Sequence, residues 1–188
     1  MNVAFCAYDG MTALDFVGGY DPITRLHRMD FLPLEWDVCA RTETVTTDGL
    51  TLDVDQVKPD LGSYDLVFVP GGMATRALRH DESFVEWIGT ASESEYVTSV
   101  CTRSILLGAA GLLEGRSATT HPSAFGLLEK YAEVVDDRVV HDGPVITGRG
   151  VSSSLDLGLY IVEELSDRDT RRAIAEQMDY PYDPPFQA

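Results

Sequence analysis

Residues 96–111 read YVTSVCTRSILLGAAG: a run rich in β-branched side chains, a cysteine, then apolar residues at helical spacing that close on glycines. Period-two character giving way to period-3.6 character marks a strand, a tight turn and a helix. The turn falls on Cys101, which places its sulfur at the carboxyl end of a strand and the N-terminus of a helix.

Similar short apolar runs lie on both sides of this unit, at 3–7, 34–40, 66–70 and 145–148, with smaller ones near 50–54 and 139–141. Helical patterns separate them at about 13–28, 81–94, 102–110, 122–129, 153–165 and 169–178. Strands apolar on both faces and alternating with helices make a mostly parallel sheet covered by helices on both sides, a doubly wound α/β architecture. Asp81 suits a helix N-cap and Pro122 a first helical turn. The tail YPYDPPFQA, residues 180–188, carries three prolines and is expected to form no helix. No repeat or linker interrupts residues 1–188, which read as a single domain.

Charge excludes several partners. The chain holds 14 Lys and Arg against 31 Asp and Glu, a net charge of −17, and its only lysines are Lys58 and Lys130. A field of that sign repels nucleic acid and anionic membrane surfaces, whose binding rests on basic side chains. The acidity reads as a solubilising shell or, in the sharper reading, as the surface of a protein from a halophilic cytoplasm. The cysteines Cys6, Cys39 and Cys101 are too sparse for a disulfide framework or a CxxC metal site. With no signal segment and no run of 18 apolar residues, the expected location is cytoplasmic.

In an open parallel sheet, ligands bind beyond the carboxyl ends of the strands. Three such ends stand out: Pro70-Gly71-Gly72, Cys101, and Arg149-Gly150 after VITG. A thiol at a helix N-terminus is expected to fall from a pKa of about 8.5 to roughly 3.5–7.5, leaving a ready nucleophile. The N–H groups of the Gly71-Gly72 turn and of Thr102 are candidate donors to a developing anion. Asp15, inside MTALDFVG, reads either as an acid facing the same crevice or as a dipole-stabilised carboxylate at a helix start. Of His27, His80, His121 and His141, none adjoins Cys101. Only His121, in SATTHPSAF, sits at a strand-to-helix junction, as a site residue or a satisfied loop histidine. Their spacing offers no metal motif.

The segments MTALDFVGGYD, DLVFVPGG, YVTSVCTRSILLGAAGLLEGRSATTHP, RVVHDGPVITGRGVSSSLDLGL and MDYPYDPPF together resemble the ThiJ/PfpI superfamily, flavodoxin-like relatives of class I glutamine amidotransferase domains. Within it the chain looks most like the isocyanide (isonitrile) hydratases. The resemblance implies that Cys101 attacks the terminal carbon of R–N≡C to give a covalent thioimidate, which water releases as an N-formamide. It implies that Asp15 shuttles protons, that Thr102 supports thiolate and acid, and that Gly72 and Thr102 supply backbone donors. It further implies a small-molecule substrate, no metal or organic cofactor, and a homodimer with the site near its interface.

The chain departs from that pattern in several places. Arg103 stands where the hydratases usually carry glycine, and Arg149 replaces a glycine in a GGG-like turn. LDxxGP becomes Leu14-Asp15-Phe16-Val17-Gly18-Gly19, and Pro22 is expected to break the following helix early. Arg103, His121, Arg149 and Gly150 are the candidate pocket residues. Arg103 is open to three readings: pairing with an acid, lowering the Cys101 pKa, or narrowing the pocket and attracting an anion. Competing functions are a glyoxalase or deglycase, which usually has glutamate at the Asp15 position, a stress-related hydrolase, and a ligand-sensing or redox-sensing domain in which Cys101 is oxidised. A PfpI-type peptidase is disfavoured by Thr102, since that branch has histidine after its nucleophile.

Overall fold

The computed structural model describes residues 1–181, so most of the proline-rich tail lies outside the described residues. The chain runs through β1 (Asn2–Cys6), α1 (Ala13–Arg28), β2 (Glu35–Ala40), β3 (Thr44–Thr47), β4 (Leu50–Asp53), β5 (Gln56–Val57), β6 (Leu66–Val69), α2 (Thr75–Leu78) and α3 (Glu82–Gly89). It continues through β7 (Tyr96–Val100), α4 (Ser104–Ala109), β8 (Ser117–Ala118), α5 (Phe125–Leu128), β9 (Glu133–Val134), β10 (Val139–Asp142), β11 (Val145–Gly148), α6 (Ser153–Leu165) and α7 (Arg168–Gln177).

The central sheet has the order β10-β11-β7-β6-β1-β2-β5, and every pairing in it is parallel except β10 with β11. The chain order reverses between β1 and β6, so the crevice past their carboxyl ends is the expected ligand site of a doubly wound sheet. Leu66–Val69 and Val145–Gly148 are buried along their whole length, which explains their unbroken apolar character. Asp81 caps α3 by accepting from the Phe84 N–H. The 122–129 pattern resolves into a 3₁₀ turn at Pro122–Ala124 and then α5.

The strand near 50–54 does not join the central sheet. It pairs antiparallel with β3 as a separate hairpin, around an Asp48-Gly49 tip where both residues have positive φ. That tip reaches back to the start of α1, where Asp48 accepts from the Ala13 N–H at 2.9 Å.

Pro22 does not break α1, contrary to expectation. The helix runs unbroken to Arg28, and the missing hydrogen bond is the one Pro22 would donate to Gly18. Gly18 and Pro22 instead pack on α6: a Cβ on Gly158 would lie 3.0 Å from both the Gly18 carbonyl oxygen and Pro22 Cγ. Ser154 of α6 adds a hydrogen bond from its hydroxyl to the Leu14 carbonyl. Close packing of α1 on α6 offsets a local penalty on the order of 3 kcal/mol.

Candidate active site

The elbow is built by β7 running directly into a 3₁₀ turn at Cys101–Arg103 and then α4. Cys101 takes φ of 60°, a left-handed conformation that costs a non-glycine residue on the order of 1–3 kcal/mol. Its neighbours hold it there: the Thr120 hydroxyl donates to the Cys101 carbonyl at 2.7 Å, and the Ser104 hydroxyl donates to the Thr119 carbonyl. The thiol is thereby turned into the crevice with only 5% of the residue exposed.

Asp15, in the first turn of α1, is completely buried, and neither carboxylate oxygen has a hydrogen-bond partner of good geometry among the described residues. Gly71 shows how close the parts lie. A Cβ there would meet Asp15 Oδ2 at 2.5 Å, Cys101 Cβ at 2.5 Å and the Val100 carbonyl oxygen at 2.8 Å. Burial pushes the Asp15 carboxyl up to about 7, against the Cys101 thiol, the Gly71 N–H and the Arg103 charge, which favour its ionised form.

Burial also pushes the Cys101 thiol up to about 12, with the Asp15 charge adding to the shift and the Thr102 N–H opposing it. This reverses the expectation of a thiol lowered by a helix end. The short helical segment from the 3₁₀ turn into α4 contributes little, whereas a dry crevice shared with a carboxylate disfavours a second anion strongly. The resting pair is therefore a thiol beside a carboxyl near half-ionisation at neutral pH, an arrangement able to accept and return one proton.

The third component is the Pro70-Gly71-Gly72 turn, whose carbonyls are all engaged. Pro70 O accepts from Arg103 Nε at 2.8 Å and from the Tyr8 hydroxyl at 2.9 Å; Gly71 O accepts from the Thr12 N–H at 2.9 Å and from the same Tyr8 hydroxyl. Gly72 O accepts from the Thr75 hydroxyl at 2.7 Å and the Thr102 hydroxyl at 3.1 Å. The Gly72 N–H has only a long 3.5 Å approach to Thr102 Oγ1, which leaves it nearly free to donate. Gly72 has φ of 149°, and a Cβ there would lie 2.6 Å from Gly10 O and from Met11 Cα, so glycine is required.

Sequence reading missed Tyr8 and Thr75. Tyr8 lies just past the carboxyl end of β1, and the strand-end rule that singled out Gly71 and Cys101 would have found it.

The four remaining candidates separate into a floor and a rim. Arg103 has no exposed surface; its guanidinium carbon lies 3.5 Å from the centroid of the Tyr8 ring and 5.3 Å from that of Phe84. His121 caps the Pro122 turn through its ring nitrogen, and its Cδ2 lies 3.7 Å from a Cβ placed on Gly150. Arg149 forms an ion pair with Asp136 at 2.8 Å, its side chain 37% exposed. The structure thus brings Cys101, Asp15, Thr102 and Gly72 together, sets His121 beside Gly150 one residue beyond Thr120, and puts the two arginines in different places. Among the described residues, no group of three or more His, Cys, Asp or Glu side chains is placed to hold a metal ion. Among them, too, no helix is long and apolar enough to cross a membrane.

Comparison with known proteins adds three findings. The model of the DJ-1/PfpI family matches residues 1–164. The isonitrile hydratase of Pseudomonas putida is 36% identical over 188 residues, covering 99% of this chain and 81% of that protein, while Protein DJ-1alpha of Drosophila melanogaster is 32% identical over 126 residues, covering 65% and 58%. The crystal structure of a ThiJ/PfpI family protein from Pseudomonas syringae superposes with a TM-score of 0.87 at 33% identity, covering 100% of this chain and 78% of that one.

Proposed function

Since this chain belongs to the DJ-1/PfpI family, we propose that its Cys101–Asp15 pair hydrates small organic isocyanides to N-formamides. The observation that carries this reading is the buried Asp15 carboxyl, without a hydrogen-bond partner of good geometry, against the Cys101 thiol. Such a carboxyl, raised by burial to about 7, is poised to move a proton.

The steps balance without a cofactor. Asp15 takes the thiol proton as sulfur bonds to the terminal carbon of R–N≡C, and returns it to that carbon to give the thioimidate R–N=CH–S–Cys101. Water then adds to the same carbon, giving one proton through Asp15 to nitrogen. The tetrahedral adduct expels the sulfur, which regains the hydroxyl proton, and leaves R–NH–CHO. The N–H groups of Gly72 and Thr102 are the donors proposed to hold the developing negative charge. A neutral substrate is indifferent to the charge of −17. Leu14 and Val17, exposed on α1 either side of Asp15, support a homodimer with the site near its interface.

The test is formamide production from an aryl isocyanide by the native protein, Cys101→Ala and Asp15→Asn, at low and high salt. Turnover lost in both variants is the expected result. A folded native protein that makes no formamide, yet whose Cys101 is still alkylated, would overturn the reaction and turn attention to other ThiJ/PfpI activities or to a sensing role. Light scattering of the same samples checks the dimer.

A further inference from the structure

Arg103 is a cation with no anion in contact. It has zero exposure, forms no ion pair among the described residues, and spends its Nε–H on the Pro70 carbonyl while both terminal nitrogens lack hydrogen-bond partners. The Tyr8 ring against which it lies offers a cation–π contact at 3.5 Å, which offsets part of the desolvation of a guanidinium but not its charge. A buried charge of this kind calls for a compensating charge nearby.

The groups that face it come from three directions. Tyr8 and Cys6 approach from β1 and its end, Asp15 from α1, and Cys101 from the elbow; Asp48 of the β3–β4 hairpin faces Asp15 in turn, and Thr102 faces Cys101. Tyr8 is neutral, because burial pushes its phenol up to about 12, and its hydroxyl donates to the carbonyls of Pro70 and Gly71. Cys6 is completely buried within β1, where burial holds its thiol protonated. The negative charge available to balance Arg103 is therefore the one shared by Cys101 and Asp15. The two sides meet across one peptide: Arg103 Nε is bonded to Pro70 O, and Asp15 Oδ2 abuts the next residue, Gly71.

We propose that Arg103 is a positioning residue whose buried guanidinium is the fixed counter-charge for the single negative charge of the Cys101–Asp15 pair, delivered from beneath the Pro70–Gly72 turn that it also holds. This rests on Cys101 and Asp15 forming the reactive pair and deepens that reading. It assigns Arg103 to charge balance and leaves substrate recognition to the rim. Arginine suits the task because it keeps its charge when buried; here it falls only to about 10.

The experiment measures the rate of Cys101 alkylation by iodoacetamide against pH, in the native protein and Arg103→Gln, with near-ultraviolet circular dichroism as the check on folding. Gln keeps a donor for Pro70 and loses the charge. The expected result is a midpoint raised by a pH unit or more in Arg103→Gln, with alkylation at pH 7 slowed about tenfold. A folded Arg103→Gln with an unmoved midpoint would overturn the proposal.

A second measurement needs no change at position 103. In native protein with Cys101 left as the free thiol, the ¹³C titration of the Asp15 carboxyl, assigned by its loss in Asp15→Asn, should have its midpoint near 7. A midpoint above about 9, the behaviour of a carboxyl in an apolar site with no counter-charge, would overturn it. Neither readout uses an isocyanide, so a protein that fails to hydrate one still decides the role of Arg103.

Discussion

Arg103 and Arg149 follow the carboxyl ends of adjacent parallel strands, β7 and β11. The floor arginine is completely buried, stacked on Tyr8 and bonded only to a carbonyl; the rim arginine is part-exposed and neutralised by Asp136. The charge of Arg103 is felt at Asp15 because low-dielectric surroundings screen it little, whereas that of Arg149 meets an opposite charge and solvent. Residue type and strand-end position are shared; what separates their effects is the water and the counter-ions around each.

The variant that tests this contrast hardest is Asp15→Asn. Besides a loss of turnover of roughly 10²–10⁴-fold, it should stabilise the fold. Asp15 is raised from 3.8 to about 7 in the folded protein, so the folded state binds more protons than the unfolded chain across that window, and stability falls as pH rises through it. Asparagine removes the loss. The gain at pH 8 should approach about 4 kcal/mol and vanish near pH 4, as urea midpoints at the two pH values would show. Equal gains at both would mean that the carboxyl is not strained by burial.

Gly71→Ala comes next. Its methyl would press on Asp15, Cys101 and the Val100 carbonyl together, at a cost of about 3 kcal/mol and most of the Cys101 alkylation rate. Tyr8→Phe keeps the ring against Arg103 and removes the hydroxyl that donates to Pro70 and Gly71. Thermal unfolding should report a loss of about 1–2 kcal/mol. The smallest effect is expected at the rim: Arg149→Ala should change stability by under about 1 kcal/mol and leave the alkylation midpoint in place. A rim variant that moved the midpoint as far as Arg103→Gln would erase the distinction between the two regions.

Much of the fold was legible. The bounds read for α1 and α6, 13–28 and 153–165, coincide with the observed helices, because their apolar residues recur at helical spacing and their ends carry clear breaks. The β3 strand escaped notice despite the Asp48-Gly49 signal, since TVTT has little apolar character. Pro22 misled for a related reason: a local rule about proline could not register that Gly158 and Ser154, more than 130 residues away, would pack against the same turn. At the site, the elbow at Cys101 and the glycine turn were readable from strand ends. Asp15 remained ambiguous between two environments until burial decided it, and Tyr8 drew no notice as one aromatic residue after a strand.

What the sequence determined by itself is what depends on neighbours along the chain: alternating strands and helices, a cysteine at a turn between them, glycines where backbone must pass closely, and a surplus of acids. The tertiary structure decided everything that depends on which distant residues exclude water from a given atom. It raised the Cys101 thiol that the helix start alone would have lowered, held Asp15 near neutrality, and sent one arginine under the site and the other to its edge. Solvation and Coulomb interactions act through space, and their strength is set by the dielectric that packing creates, which no local pattern encodes.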